Sequence, residues 1–395
     1  MRVAGGLAMQ FAHSEDQQLI RESARAFLTA QASPAQVRAA LAAPCGYDEG
    51  LWRRMSGELG WTGLAIPQDC GGMGLGWVEL CILQEEQGRR LVASPFFATV
   101  ALAAPLIDAA AAGAQRRTLL RRIASGEVRI GCALSGTDGR PPCAGLSVEL
   151  AAAGDAFTLN GVSDFVIHGD AADLLLVLAR SPGSSGDTGI SVAVIPATSA
   201  GVAVYPHVML DLTRPMSRVQ FAGVRLERTQ LLGEPGTAAA AVHRALDRAR
   251  IALASEALGG AEHVLEITTE YAKQRIQFGR AIGSFQAIKH RLADMMIAVE
   301  AAKSAAWYAA CVAEQGSEEL AEAAAIAKSY CCDAFFDCAA NAIQIHGGVG
   351  FTWEHEVHLY FKRARATATL LGSPAWQRER LMRLIASGAA ATPVF

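Results

Sequence analysis

The period of the apolar positions changes twice along the chain. From Ser14 to about Ser125, Leu19, Ile20, Ala24, Phe27 and Leu28, and later Leu80, Leu83 and Leu91, recur at the spacing of one helix face. That spacing predicts a helical block. Ser14 and Gln17 stand at capping-box separation and mark its first helix start. Ala65–Gly76 (AIPQDCGGMGLG) carries a proline and a cluster of glycines, too costly for a helix interior, and reads as a long loop between helical layers.

Near Arg129 the period falls to two. Short runs follow at Arg129–Leu134, Ser147–Leu150, Ala156–Leu159, Leu174–Ala179, Ser191–Ile195 and Arg218–Phe221, which predict an antiparallel β-barrel or sandwich-like unit. Asn160-Gly161 between apolar neighbours predicts a two-residue hairpin turn, because both residues accept positive φ. Ser181–Gly189 (SPGSSGDTG) reads as a surface loop. The helical period returns at Thr237–Lys273, Phe285–Glu314 and Ser317–Ile343, long alanine-rich segments that suit an antiparallel four-helix bundle. The expected class is α+β, with a helical domain at 9–128, a β domain at 129–232 and a bundle at 233–395.

Composition narrows the function. A chain of 395 residues with 51% hydrophobic residues can bury several cores. With 18% charged residues and a formal net charge of -3 it lacks the positive field that nucleic acid or an anionic membrane would need. The nine cysteines include Cys81 and Cys311 in apolar runs and the adjacent Cys331 and Cys332; no CxxC pair occurs, so reduced thiols in the cytoplasm are expected. The opening MRVAGGLAMQF has one Arg and a short apolar stretch, Val3–Met9, below the length of a signal core or membrane span. No export or anchoring is expected from it, and Met9 is a candidate start.

Chemistry concentrates in Tyr271–Met295 (YAKQRIQFGRAIGSFQAIKHRLADM) and Gln344–Phe351 (QIHGGVGF). The Arg-x-x-Phe-Gly, the following Phe-Gln and the Gly-Gly run resemble, in order and spacing, the flavin-binding segments of the acyl-CoA dehydrogenases. The three-block order extends that resemblance over essentially the whole chain. It implies an FAD-dependent dehydrogenase of acyl-CoA thioesters, with Arg275, Phe278, Gln286, Gln344, Gly347 and Gly348 serving the FAD of a neighbouring subunit, hence at least a dimer. The residue types agree: Arg275 brings a permanent cation and a donor fork for a pyrophosphate, Phe278 a flat face, and Gly347-Gly348 an unobstructed backbone. A solvated helix-end cation and a glycine helix terminator remain the alternative. Leu246–Arg250 (LDRAR) resembles the segment bordering the thioester, with Asp247 and Arg250 as the matching positions; an i,i+3 ion pair explains it equally.

The departures from the family are as informative. Its carboxylate base lies in a Tyr-Glu-Gly-Thr-like turn, and the matching stretch Thr369–Pro374 (TLLGSP) puts Leu371 there. Some members carry the base just before the residue matched by Arg250, and that position is Ala249. Neither residue can take a proton, so no catalytic residue is assigned. Glu256, about two turns from Ala249, is too distant for direct transfer and reads as a surface or helix-partner residue. The polar loop after the first strand is shortened to Leu134–Gly139 (LSGTDG), retaining Ser135 and Thr137. Ile167 replaces a threonine that would donate to the flavin. Three readings follow: the non-catalytic-type subunit of a two-plus-two acyl-CoA dehydrogenase, whose related partner brings the base; a self-sufficient dehydrogenase or oxidase with a relocated base; or a flavin-free scaffold. The resemblance further implies electron-transfer flavoprotein as the acceptor. No metal site is expected.

Overall fold

The structure, a computed structural model, describes residues 12–136, 142–143 and 145–388. Val3–Met9, Thr137 and Gly139 therefore lie outside the described residues.

The first block is helical as its period demands. It comprises α1 (Glu15–Gln31), α2 (Pro34–Leu41), α3 (Glu49–Arg53), α4 (Trp77–Arg89), α5 (Ala104–Ala110) and α6 (Gly113–Ala124), with wider π-type turns at Arg54–Glu58 and Phe97–Ala103. The Ser14/Gln17 capping box forms in both directions, satisfying backbone donors that the first turn leaves orphaned. The glycine-rich loop precedes α4 and contains one short turn at Gln68–Cys70.

The middle sheet holds β1 (Ile130–Ala133), β2 (Glu149–Ala153), β3 (Ala156–Ile167), β4 (Leu174–Arg180), β5 (Ile190–Pro196), β6 (Val202–Pro206), β7 (Met216–Leu226) and β8 (Leu231–Leu232). Strand order runs β6-β7-β3-β2-β4-β5-β8, with β1 also on β4. Alternation along β4 explains its position. Leu174, Leu176 and Leu178 join the helical core, whereas Leu175, Val177 and Ala179 join a second core inside the sheet.

Two expectations are corrected here. The sheet is mixed rather than antiparallel, because β1 pairs parallel to β4 from Ile130↔Leu174 to Ala133↔Val177. Both strands are buried on both faces, the environment that parallel pairing favours, and the chain reaches β4 only after the β2–β3 excursion. Asn160-Gly161 is not a hairpin turn: it lies within β3 at a register shift, with Gly161 at φ 133 and the Asn160 side chain accepting from the Gly223 N–H at 2.8 Å. The hairpin closes at Gly154-Asp155 instead, where Gly154 has φ 66 and Ala153 faces Ala156. A side chain at Gly161 would run into the Ser147 carbonyl, so this glycine serves close approach within the sheet.

After β8 come α7 (Ala239–Gln274), a two-strand ribbon of β9 (Ile276–Gln277) and β10 (Arg280–Ala281), then α8 (Gln286–Gln315), α9 (Leu320–His346), α10 (Val357–Thr369) and α11 (Pro374–Ala386). These ends agree with the predicted segments to within a few residues, and α9 packs on α7, α8, α10 and α11. Helix α4 lies against α7 so closely that a Cβ at Gly88 would overlap the Glu256 carbonyl, and one at Gly259 the Glu85 carbonyl. Among the described residues no helix is long and apolar enough to cross a membrane. Overpacking at such a contact costs about 1–3 kcal/mol or more, so Gly259→Ala should lower the free energy of unfolding by that amount, read by urea unfolding, while Gly279→Ala in the open ribbon turn should act only through its own backbone conformation.

Candidate active site and nucleotide face

Two separate regions contain the residues singled out above. The first is a cavity of about 540 Å³ between the sheet and the α10–α11 turn, within the usual range for small-molecule sites. Ile167, Met209, Met216, Leu370 and Leu371 give it apolar walls, and Asp164 and Asp211 contribute carboxylates. Ser135 also lines it and accepts on its carbonyl from Ser163 Oγ at 2.8 Å.

Leu371 stands in the turn where a base is expected, buried, with φ 57. Positive φ is costly for leucine, and the surroundings impose it. Arg250 Nε and Gln377 Nε2 both donate to the Leu371 carbonyl at 3.0 Å. The fully buried Lys328 reaches from α9 to the carbonyls of Thr367 at 3.0 Å, Ala368 at 3.2 Å and Gly372 at 3.4 Å, a cation at the C-terminus of α10 where the helix dipole favours one. The turn is held as rigidly as a catalytic turn would need, yet it presents a hydrocarbon side chain.

Asp247 and Arg250 lie behind that turn instead of in the cavity lining. Arg250 Nη1 donates to Asp247 Oδ1 at 2.7 Å, and Arg380 grips both Asp247 oxygens at 2.6 and 2.7 Å. Both residues are buried. The surface-pair alternative is thereby corrected: the pair is internal, and Arg250 acts on the Leu371 backbone. Ala249 is buried on α7 with no polar group to offer.

Glu256 is no surface residue either, at 4% exposure. Arg214 Nη2 donates to its oxygens at 2.6 and 2.5 Å, and Arg363 Nε to Oε1 at 3.0 Å. Burial pushes the Glu256 carboxyl up, but the Arg214 and Arg363 guanidiniums outweigh it and hold the group below the usual carboxylate range. A carboxylate so neutralised is a poor proton acceptor, so the structure removes it as a base. At the cavity wall, hydrogen bonding from Arg218 is the main cause holding Asp164 low, against burial, with His207 assisting. Periodicity and motif order gave no signal for Asp164 or Asp211.

The second region is at the far end of α7. Arg275 caps that helix, and the ribbon turn Phe278-Gly279 has φ 52 and 81, the two positive values of a type I′ hairpin turn. The turn projects Phe278 at 93% exposure. Gln286 opens α8 beside it, exposed. The C-terminus of α9 supplies exposed Gln344, Gly347 and Gly348. Tyr271 joins the two segments, stacking on His346 at 4.3 Å and donating to the His346 carbonyl at 3.3 Å. A Cβ at Gly347 or Gly348 would meet nothing within 4 Å. Packing within the chain therefore does not demand glycine at Gly348, and open backbone facing outward suits phosphate oxygens. The Arg275 guanidinium has no carboxylate partner among the described residues.

Helix length separates the two regions. Arg275 is 25 positions beyond Arg250 on one continuous helix, about 37 Å at the helical rise. The exposed surface around Arg275 and the Arg250 contact to the Leu371 turn therefore lie at opposite ends of that span.

The comparisons agree with this architecture. The N-terminal domain of acyl-CoA dehydrogenase matches residues 14–127 and its C-terminal domain residues 238–386. Acyl-CoA dehydrogenase IpdE2 of Mycobacterium tuberculosis is 37% identical over 94% of this chain and 96% of its own length. Among solved structures, a single-site variant of the Tcur3481-Tcur3483 steroid ACAD is 31% identical, with TM-score 0.84 over 95% of this chain and 99% of that one. The ChsE4-ChsE5 complex from Mycobacterium tuberculosis is 27% identical, with TM-score 0.86 over 98% and 100%. The chain belongs to the acyl-CoA dehydrogenase family, whose members are FAD-dependent oxidoreductases.

Removing one partner from a buried ion cluster strands the others and costs about 3–5 kcal/mol. Glu256→Gln should therefore destabilise the protein by that order in denaturant unfolding. Because the folded pKa of Glu256 is depressed, its contribution is present above the unfolded value of about 4.3 and lost as pH falls through the folded value. The wild-type minus variant difference should thus shrink on acidification; a difference that grew would contradict the cluster's role.

Proposed function

We propose that this chain is the non-catalytic-type subunit of a heteromeric acyl-CoA dehydrogenase, and that it lends its nucleotide face to the FAD held mainly by a related, Glu-bearing partner. The observation that carries this reading is the separation along α7: exposed Arg275, Phe278, Gln344, Gly347 and Gly348 at one end, and, about 37 Å back along the helix, Arg250 holding the base-free turn at Leu371. A second copy of the same chain would bring the same leucine, so the carboxylate has to come from a different polypeptide. The paired names of the Tcur3481-Tcur3483 and ChsE4-ChsE5 structures support such an assembly.

When bound, FAD accepts the β-hydride of the acyl thioester. This chain's residues bind rather than react. Arg275 offers a charge-assisted donor fork to the pyrophosphate, Gln286 and Gln344 offer amides, Gly347 and Gly348 allow the backbone N–H groups close approach, and Phe278 covers a flat surface of the nucleotide. Asp247 and Arg250 hold the turn that borders the thioester site and do not themselves touch substrate. The substrate class is acyl-CoA, in fatty acid or steroid catabolism, the compartment is the cytoplasm, and electrons pass to electron-transfer flavoprotein.

Co-expression with a related chain carrying glutamate at the position of Leu371 should yield a stable complex with one FAD per two chains, measured by absorbance and native mass. Arg275→Ala in this chain should weaken FAD retention by about tenfold or more, as expected for loss of a charge-assisted contact worth about 1.5–3 kcal/mol, without unfolding the complex. Unchanged flavin occupancy in that variant would favour the scaffold reading.

A further inference from the structure

The glycine-rich loop Ala65–Gly76 belongs to neither region described above, yet it closes one side of a second cavity. This cavity, of about 150 Å³, lies between Ile66 of the loop, Leu80 of α4, Pro105 of α5, Leu120 of α6 and Arg248 of α7. It is separate from the larger one: Leu102 lines the cavity beside Leu371, whereas Val100 and Ala104 line this one. Arg248 is half-buried and makes no hydrogen bond or ion pair among the described residues; Nε is enclosed, while Nη1 and Nη2 stay open to solvent. Its guanidinium lies over the Trp77 ring, 5.4 Å from the centroid, a contact that orients the cation without satisfying its donors. The carboxylates nearby are engaged elsewhere, Asp108 by Arg116 Nε at 2.8 Å and Glu314 by the Trp77 backbone N–H. Burial first, and then the neighbouring Arg244, push the Arg248 guanidinium down, against Asp108 and Glu314. A cation half withdrawn from water without a paired counter-charge is relieved by an anion that its donors can grip.

The surroundings define that anion. The planar fork of Nη1 and Nη2 matches a carboxylate, which it can meet with two parallel hydrogen bonds. Ile66, Leu80, Val100, Pro105 and Leu120 make the other walls apolar, so the carboxylate has to bring a hydrocarbon tail. A cavity of about 150 Å³ holds a molecule of about six non-hydrogen atoms, which keeps the tail short. Asp108 stands in the same wall and limits the charge, because a like charge close by disfavours a dianion more than a monoanion. Ala65 and Pro67 line both this cavity and an open groove over Gln68 and Leu75, which gives a small molecule a way in.

We propose that this second cavity binds a free short-chain monocarboxylate of about four carbons, with the Arg248 guanidinium holding the carboxylate and the loop, α4, α5 and α6 enclosing the tail. The site goes beyond the subunit assignment and does not depend on it, since it uses none of the residues that assignment rests on.

Calorimetric titration of the full chain at constant ionic strength tests it with four probes: butyrate, butyramide, acetate and inorganic phosphate. Butyrate should bind about tenfold or more tighter than butyramide, which has the same shape and no charge, the range for a hydrogen bond to a charged group. It should bind tighter than acetate by about threefold or more for each added methylene that the walls cover, and tighter than phosphate. In Arg248→Gln the preference for butyrate over butyramide should fall to within about twofold. In Arg248→Lys, which keeps the charge and loses the fork, butyrate should bind more weakly with that preference retained. No butyrate binding, phosphate or acetate binding as tight as butyrate, or a preference that survives Arg248→Gln would each overturn the proposal. If Arg248→Gln does not fold, Arg248→Lys decides, and unchanged butyrate affinity there overturns it as well. Neither result alters the flavin stoichiometry of the heteromer, so the two claims fail separately.

Discussion

One buried carboxylate holds the parts of this molecule in register. Glu256 projects from α7 and binds Arg214, which arrives from the segment before β7, and Arg363, which arrives from α10. All three are nearly inaccessible to water, so each charge depends on the others for its solvation. The cluster reaches Thr367 through Arg214 Nη1 at 3.3 Å and Thr213 through Arg363 Nη1 at 2.7 Å. Sheet, long helix and α10 are thereby fixed around the cavity. Asp211 in the cavity wall joins the same cluster through Arg363.

Around this frame the α10–α11 turn is held in place by buried side chains. Arg250, Gln377 and Lys328 satisfy the carbonyls of the α10–α11 connection and hold Leu371 at positive φ. Strain of this kind persists only where the surroundings over-determine it. Phe278 is also at positive φ, but there the two-residue turn between β9 and β10 sets it, and the side chain is exposed. One of these residues lines a cavity and the other stands exposed. The long helix α7 keeps the two regions on separate surfaces.

Much of this was legible in the sequence, for physical reasons. The long helices announced themselves by period, and the Ser14 cap by its two-way hydrogen bonding at fixed spacing. Arg275, Phe278 and Gly347 were singled out from two short contiguous segments, which Tyr271 brings together by stacking on His346. What stayed hidden depends on distant partners. Asn160-Gly161 is as good a turn signal as Gly154-Asp155, and only the pairing of β3 with β7 decides between them. The parallel β1–β4 pair joins residues separated by the whole β2–β3 hairpin. Glu256 reads as an ordinary helix carboxylate until Arg214 and Arg363, 42 and 107 positions away, are brought to it. Asp211 carries no motif at all, and its place beside Thr213 and Arg363 exists only in three dimensions.

On the proposed reading, this polypeptide lends its exposed Arg275 surface to the FAD of a related partner and performs no proton abstraction of its own. Anaerobic titration with a panel of acyl-CoA thioesters, following the flavin absorption band, tests it most directly when the isolated chain, reconstituted with FAD, is set beside its complex with a glutamate-bearing relative. The expected result is bleaching of the flavin in the complex and none in the isolated chain. Stoichiometric bleaching in the isolated chain, with enoyl-CoA formed, would contradict the account.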